Sequence, residues 1–297
     1  MLLAGYLQKT GATLELVDHS PERAHVLSKG IRWEGMNTDF TFQVPVTVGL
    51  RVPEDKDLVI VCVKAYDTES VVRDLSAAGY RGPVMTLQNG VENADIIARG
   101  LPASPLIAGV TSEGANLVSA SHLRHAGRGK TSFGALSEGK PAGAFLAEVV
   151  ALFRAAGLDA ELSGEPQSLI WGKVLVNAGI NALTAVLGVR NGRLLEIEPA
   201  RRLMSELVLE AWEVIQRKNL SPGYSDPVAR VEEVCRQTAE NFSSMYADIK
   251  KGRRTEIDSI NGAIVREGAR VNVPCPRNHA LAELVRALER LGSFNAL

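Results

Sequence analysis

The chain has 297 residues, 45% hydrophobic and 23% charged, with a formal net charge of −1 at pH 7. That length admits one large or two ordinary domains, and that charge gives no electrostatic case for nucleic acid or for an anionic membrane. No apolar run is read as reaching the roughly 18 residues that span a bilayer, no secretory leader is expected at the start, and three scattered cysteines, Cys62, Cys235 and Cys275, suit a reducing, cytoplasmic setting without disulfides or metal-ligand spacing.

In chain order, Leu2, Leu3, Tyr6 and Leu7 follow helical spacing, and Thr10-Gly11 ends that helix. Thr13–Asp18, Leu58–Val63, Val84–Leu87 and Leu106–Val110 are short apolar runs. Helical patterns lie between them at Pro21–Lys29, Thr68–Ala77 and Glu92–Arg99. Buried strands alternating with helices predict a parallel α/β sheet. Phe42–Val48 and Gly127–Gly134 read as extra strands. A helix over Ala142–Ala156 and a strand at Asp159–Ser163 close this half.

From Gly164 onward the pattern is helical: Pro166–Leu187, Ala200–Lys218, Asp226–Ile249, Thr255–Glu267 and His279–Leu291. The fold class predicted is therefore α/β, a Rossmann-like parallel-sheet domain over residues 1–164 and an all-helical domain over residues 165–297. Such a pairing suits a nucleotide domain followed by a substrate domain. Apolar stripes on the late helices suit a homodimer and intramolecular packing equally.

The helix at Pro166–Leu187 is the most informative segment. It is apolar on most sides, yet Lys173, Asn177 and Asn181 recur at steps of four, with Thr184 in the same arc. Each step of four advances about 40° around the helix, so the polar groups form one stripe. A helix apolar nearly all round is a buried one. A buried lysine beside two amides needs a polar partner, and a bound polar ligand is the simplest. Taken singly, each of these residues reads as a solvated or capping side chain.

The front of the chain carries only the second half of a dinucleotide-binding opening: helix, turn, strand, and the acidic Asp18, whose carboxylate suits ribose hydroxyls. No G-x-G-x-x-G opens the helix, and Gly5 lies inside it. A first strand would normally sit mid-sheet, so an incomplete opening, from a start placed too far downstream, is expected. The plainer reading of Asp18 is a turn residue before His19-Ser20-Pro21.

Several stretches together resemble the ketopantoate reductase (2-dehydropantoate 2-reductase) family over nearly the whole chain. They are LLAGYLQKTG with LVD, VKAYDT, LQNGVEN, HAGRGKTSFG, WGKVLVNAGINALTA followed by Asn191-Gly192, and SSMYADIKKGRRTEIDSINGAIV. The resemblance implies reduction of a small 2-keto acid in pantothenate and coenzyme A synthesis, by a Rossmann domain carrying NADPH, the family default. It makes Lys173 the proton donor, a role the buried stripe reaches independently, since a general acid is needed where the ketone oxygen gains charge. It implies that Asn177, Asn181, Asn191 and Ser244 bind substrate, that Asn89 and Glu256 lie near both substrate and cofactor, and that Lys64 and the Ala115 backbone contact the cofactor. The plainer readings are an Asn-Gly turn for Asn89 and a surface ion pair with Arg253 or Lys250 for Glu256. Asp18 would repel the 2′-phosphate of NADPH and so favours NADH, unless Arg23 reaches back to offset it. Two alternatives stand beside this reading: a related reductase with another 2-keto acid, and an inactive homologue whose helical half binds or dimerises.

Overall fold

The computed structural model describes residues 1–35, 38–49, 57–136 and 143–294. They form two compact units, one of Met1–Cys62, Asp67–Leu87 and Ile96–Pro166, the other of Val63–Tyr66, Gln88–Asp95 and Gln167–Leu297.

The first unit opens with helix α1 (Leu2–Leu7), whose Gly5 is a packing glycine: a Cβ there would come within 2.6 Å of the Trp33 ring. Strand β1 (Leu16–Asp18) is shorter than the apolar run expected from Thr13. Helix α2 (Pro21–Ser28) is capped by the Ser20 hydroxyl, which accepts from the Arg23 N–H, with Pro21 at its first position. The stretch Phe42–Val48 is two strands rather than one. β2 (Ile31–Glu34) and β3 (Asp39–Phe42) make a hairpin, and β4 (Val46–Val48) follows Pro45 and pairs with β1 in parallel. Proline has no N–H to give a ladder, so the run breaks there.

The remaining elements of this unit are β5 (Val59–Val61), α3 (Thr68–Ala77), β6 (Val84–Thr86), α4 (Asn93–Gly100), β7 (Leu106–Thr111), β8 (Gly114–Ser119), β9 (His122–Gly127), β10 (Lys130–Ala135), α5 (Gly143–Ala155) and β11 (Asp159–Leu162). The Ala142 start expected for α5 lies outside the described residues. The single parallel sheet expected from the alternation is instead three sheets. A five-stranded sheet has the order β11-β10-β7-β6-β5, with β10 antiparallel to β7. A four-stranded sheet, β3-β2-β9-β8, uses strands at Gly114–Ser119 and His122–Gly127 whose polar composition hid them. β1 and β4 stand as a pair, so β1 and β5 each have one strand partner among the described residues. The core between the layers contains Met85, Ile107 and Phe133, with Phe133 edge-on to Phe153 at 5.5 Å.

The second unit is helical. Helix α6 (Pro166–Leu187) is long and apolar enough, by length and composition, to cross a membrane, which corrects the expectation that no segment qualifies. Its most apolar window is 72% buried within the protein, so it is the central core helix. Leu175, Ala178 and Ala182 are fully buried beside Met204, Leu207 and Val208. Truncating Leu175 to Ala would cost about 2–5 kcal/mol. A short α7 (Arg193–Glu196) and the long α8 (Glu198–Arg217) follow. The helix expected over Asp226–Ile249 is two, α9 (Pro227–Gln237) and α10 (Ser244–Lys250), interrupted at residues 238–243. The helix expected from Thr255 starts later: Ile257–Ser259 is a 3-10 turn and α11 spans Asn261–Arg270. Asn272, left-handed at φ 58°, and Pro274 separate α11 from α12 (Pro276–Phe294).

Candidate active site

The site is built around one carboxylate. Glu256 is 7% exposed and sits just before the 3-10 turn. Its Oε1 accepts the backbone N–H of Ala65 at 3.1 Å, and its Oε2 accepts the Asn89 Nδ2 amide at 3.2 Å. The Lys64 Nζ lies 3.5 Å from the same Oε2 and donates to Asp248 Oδ2 at 2.7 Å. These partners replace the surface pair with Arg253 or Lys250 that spacing alone allowed. Burial works against the Lys64 charge, yet the Glu256 carboxylate and the Asp248 bond hold its pKa above the ordinary lysine value.

Two loops deliver Lys64 and Asn89. Lys64 comes three residues after the end of β5, and the Gln88 amide donates to the Val63 carbonyl at 2.7 Å, tying one loop to the other. Asn89 does make the turn its sequence suggested: Gly90 takes φ 96°, and a Cβ there would meet Ser259 at 2.8 Å. Turn chemistry and site membership thus coexist, because the turn presses Asn89 onto the segment that carries Glu256.

Helix α6 supplies the rest. Burial pulls the Lys173 pKa down to about 8, with the Glu256 charge opposing that fall. Asn177 and Asn181 follow on the same face, and among the described residues neither side-chain amide has a hydrogen-bond partner. Thr184, the fourth member of the stripe, is used by the fold: its Oγ1 lies 2.8 Å from Ser243 Oγ and 2.8 Å from the Ile180 carbonyl. A helix hydroxyl can satisfy itself on the carbonyls of the preceding turn.

Residues 238–244 close the far end. The Asn191 N–H donates to the Asn241 carbonyl at 3.0 Å and its Nδ2 to Thr238 Oγ1 at 2.9 Å, while its Oδ1 is buried without a partner. Ser244 is the exposed first residue of α10; the hydroxyl wired to α6 is its neighbour Ser243, which caps α10 and reaches the Asn181 carbonyl at 3.3 Å. Sequence reasoning missed Asp248, Ser243 and the Ala65 N–H. Asp248 sat in an ordinary amphipathic pattern, and a backbone N–H has no signature in a sequence.

In the first unit, Asp18 Oδ1 accepts the Ser20 N–H at 3.0 Å, the Asx-type turn of the plainer reading, while Oδ2 lies 3.3 Å from Arg23 Nε. Arg23 does reach back to Asp18. This end of β1 therefore offers both an acceptor for ribose hydroxyls and a guanidinium for phosphate, which fits the adenosine end of either nucleotide. Ala115 is exposed in β8, opposite His125. Groups of metal-ligating side chains do not occur among the described residues.

Residues 1–138 match the family described as Ketopantoate reductase PanE/ApbA, and residues 165–289 match its C-terminal counterpart. The chain is 37% identical over 295 residues to a 2-dehydropantoate 2-reductase of Halobacterium salinarum, covering 98% of this chain and 96% of that one. It is 38% identical over 270 residues to the Archaeoglobus fulgidus 2-dehydropantoate 2-reductase, covering 90% and 87%. Among solved structures, a PanE/ApbA family ketopantoate reductase from Ralstonia eutropha superposes with a TM-score of 0.87 at 30% identity, over 98% and 95% of the two chains. A D-mandelate dehydrogenase bound to NADH and anilino(oxo)acetate superposes equally, TM-score 0.87 at 26% identity, over 97% and 94%. The first family match begins at residue 1, and the comparisons lend no support to the incomplete opening expected from the sequence.

Proposed function

Since this chain belongs to the ketopantoate reductase family of NAD(P)-dependent oxidoreductases, we propose that it reduces 2-dehydropantoate to pantoate. On this reading residues 1–164 take the nucleotide and residues 165–297 supply most of the substrate machinery. The observation that carries it is the pairing of a buried lysine of lowered pKa, Lys173, with a carboxylate, Glu256, on a helix face that also carries two amides without hydrogen-bond partners among the described residues.

The reduced nicotinamide, when bound, supplies the hydride that reaches the ketone carbon. The chain's own task is to manage charge and orientation. Negative charge develops on the ketone oxygen, and the Lys173 ammonium stabilises it and gives up one proton, leaving a neutral amine and the 2-hydroxy acid. Solvent returns the proton. A pKa of about 8 keeps most Lys173 side chains charged at neutral pH while making the proton easier to give than from an ordinary lysine. Asn177, Asn181 and Asn191 offer donors and acceptors to the substrate carboxylate and hydroxyl, and Ser244, exposed at the start of α10, is the further hydroxyl the family resemblance assigns to substrate. Glu256, held by Ala65, Asn89 and Lys64, is an acceptor positioned for the substrate hydroxyl.

Cofactor choice rests with Asp18 and Arg23. Their pairing lowers the cost of a 2′-phosphate that Asp18 alone would repel, so NADPH is the proposed cofactor, with NADH accepted more weakly. The second reading, a family member for another 2-keto acid, is favoured by the equally good superposition on the D-mandelate dehydrogenase.

The test is turnover with each nucleotide on 2-dehydropantoate and on a 2-keto acid that has an aromatic group and no hydroxyl. Preference for 2-dehydropantoate supports the first reading. Preference for the aromatic acid supports the second, and no oxidation of either nucleotide with any keto acid defeats both.

A further inference from the structure

The helical unit contains a polar network that touches neither face of the stripe on α6. Asn261 is fully buried at the first position of α11. Its Nδ2 gives one hydrogen to the Ala178 carbonyl of α6 at 3.2 Å and the other to Asn278 Oδ1 of α12 at 2.9 Å. Asn278, also fully buried, donates to the Leu207 carbonyl at 3.1 Å and to Glu210 Oε2 at 2.8 Å, both on α8. Glu210 also accepts the Arg277 and Asn278 backbone N–H groups, each at 3.0 Å, at the start of α12. Both amide orientations follow from the partners, since carbonyl and carboxylate oxygens can only accept. One side chain therefore joins α6, α11 and α12, and through Asn278 reaches α8.

Its position along the chain gives this link its meaning. Glu256 and Asn261 are separated by one tight turn, in which the Ser259 and Ile260 N–H groups both donate to the Glu256 carbonyl, at 3.0 and 3.1 Å. Ala178 is the residue after Asn177, on the helix that carries Lys173 and Asn181. Ala178 lies inside a long helix, so the Asn261 bond uses the second lone pair of a carbonyl already in the ladder. Such a bond adds little to helix stability and much to where the helix stops sliding.

We propose that Asn261 is a positioning residue for the reduction: it fixes the axial register of α6 against the Glu256 turn, and so sets the approach of Lys173 to Glu256. An apolar residue of similar size would fill the same space without a directional bond, and packing alone tolerates small slides of a smooth helix. The cost of the arrangement is visible, because Asn261 Oδ1 is buried without a partner. A fastener chosen only for stability would not carry that orphan.

The proposal rests on the reductase reading for its kinetic arm, so the experiment has a second readout that needs no substrate. Asn261→Leu keeps volume and removes both bonds. Turnover is measured across pH with thermal unfolding of the same preparation. In parallel, the pH dependence of Lys173 acetylation by trace acetic anhydride is read by mass spectrometry. The expected result is a roughly tenfold fall in kcat with the nucleotide KM unchanged. The labelling midpoint of Lys173 should rise toward that of an ordinary lysine, as the looser register admits water. A lowered unfolding temperature with kcat and the Lys173 midpoint both unchanged would overturn it, leaving Asn261 a fastener. If Asn261→Leu does not fold, Asn278→Ala keeps the Ala178 bond and frees its other anchor. It should move both readouts the same way by less, and wild-type values in both would overturn the proposal equally. A wild-type protein that reduces no keto acid would sink the reductase reading while the labelling arm still decides this one.

Discussion

The α/β unit buries the Glu113 carboxylate and the helical unit buries Glu256 among other glutamates, and these two are dressed differently. In the α/β unit, Glu113 has a side chain 2% exposed. It lies 2.7 Å from His125 Nε2, takes the Tyr6 hydroxyl at 3.1 Å and the Gly129 N–H at 3.1 Å. Burial and the Glu113 charge push the Tyr6 pKa up to about 12, so that hydroxyl stays a donor at any working pH. Every partner of Glu113 belongs to the fold, fastening α1 to the hairpin of β8 and β9. Glu256 in the helical unit is nearly as buried and as well bonded, but it acts on Lys173, a lysine of lowered pKa whose helix face also carries Asn177 and Asn181, two amides with no hydrogen-bond partner among the described residues. A buried carboxylate by itself marks nothing. Amides left without a partner on the face that carries such a lysine mark a place suited to a polar ligand, since folding alone gains nothing from withdrawing them from water.

The sharpest way to break that contrast is Lys173→Ala, expected to lower kcat about a thousandfold with a much smaller change in the substrate KM. Steady-state kinetics at neutral pH decide it, and an unchanged kcat removes Lys173 from the chemistry. Glu256→Gln comes next, with kcat/KM down about a hundredfold, the loss of one charge-assisted acceptor at a desolvated centre. Because the Glu256 charge raises the Lys173 pKa, its removal moves the alkaline limb of the pH–rate profile below the wild-type position near pH 8. A limb that stays put or moves up contradicts the pairing.

Asn181→Ala is expected to raise the substrate KM about tenfold through one lost hydrogen bond, and Asn177→Ala by a similar factor. Glu113→Gln should show the opposite profile. It should cost about 1–3 kcal/mol in urea unfolding, since it weakens the buried hydrogen bonds from Tyr6, His125 and Gly129, and leave kcat within about twofold.

The smallest effect is one of linkage. Lys173 has a folded pKa below its unfolded one, so the unfolded chain holds more protons between about pH 8 and 10.5, and stability rises with pH across that window. Lys173→Met should accordingly unfold at higher temperature than the parent below pH 8, by something on the order of 1–3 kcal/mol, with the gain shrinking toward pH 10.5. A gain that persists undiminished at high pH would mean that packing, rather than the buried charge, was relieved.

The sequence by itself determined the periodic parts. Helix α6 was legible from end to end because 22 residues of one apolar pattern leave no other solution, and its polar stripe was legible because a helix repeats its faces. The alternation of short apolar strands with helices fixed the class of the first half. What the sequence did not show was decided by contacts distant along the chain. The strands Gly114–Ser119 and His122–Gly127 carry few apolar residues, and they become part of a sheet by pairing with each other and, for β9, with β2. Glu256 looked like one residue of a helix with basic neighbours. The tertiary structure stops the helix short and turns that carboxylate toward Lys64, Asn89 and the Ala65 N–H, partners 167 to 192 positions away. Thr184 and Asn181 were indistinguishable in the stripe until Ser243 bonded to one and not to the side chain of the other. Periodicity records which face of an element avoids water. It does not record which neighbour a polar group meets there, because that depends on where separate elements dock.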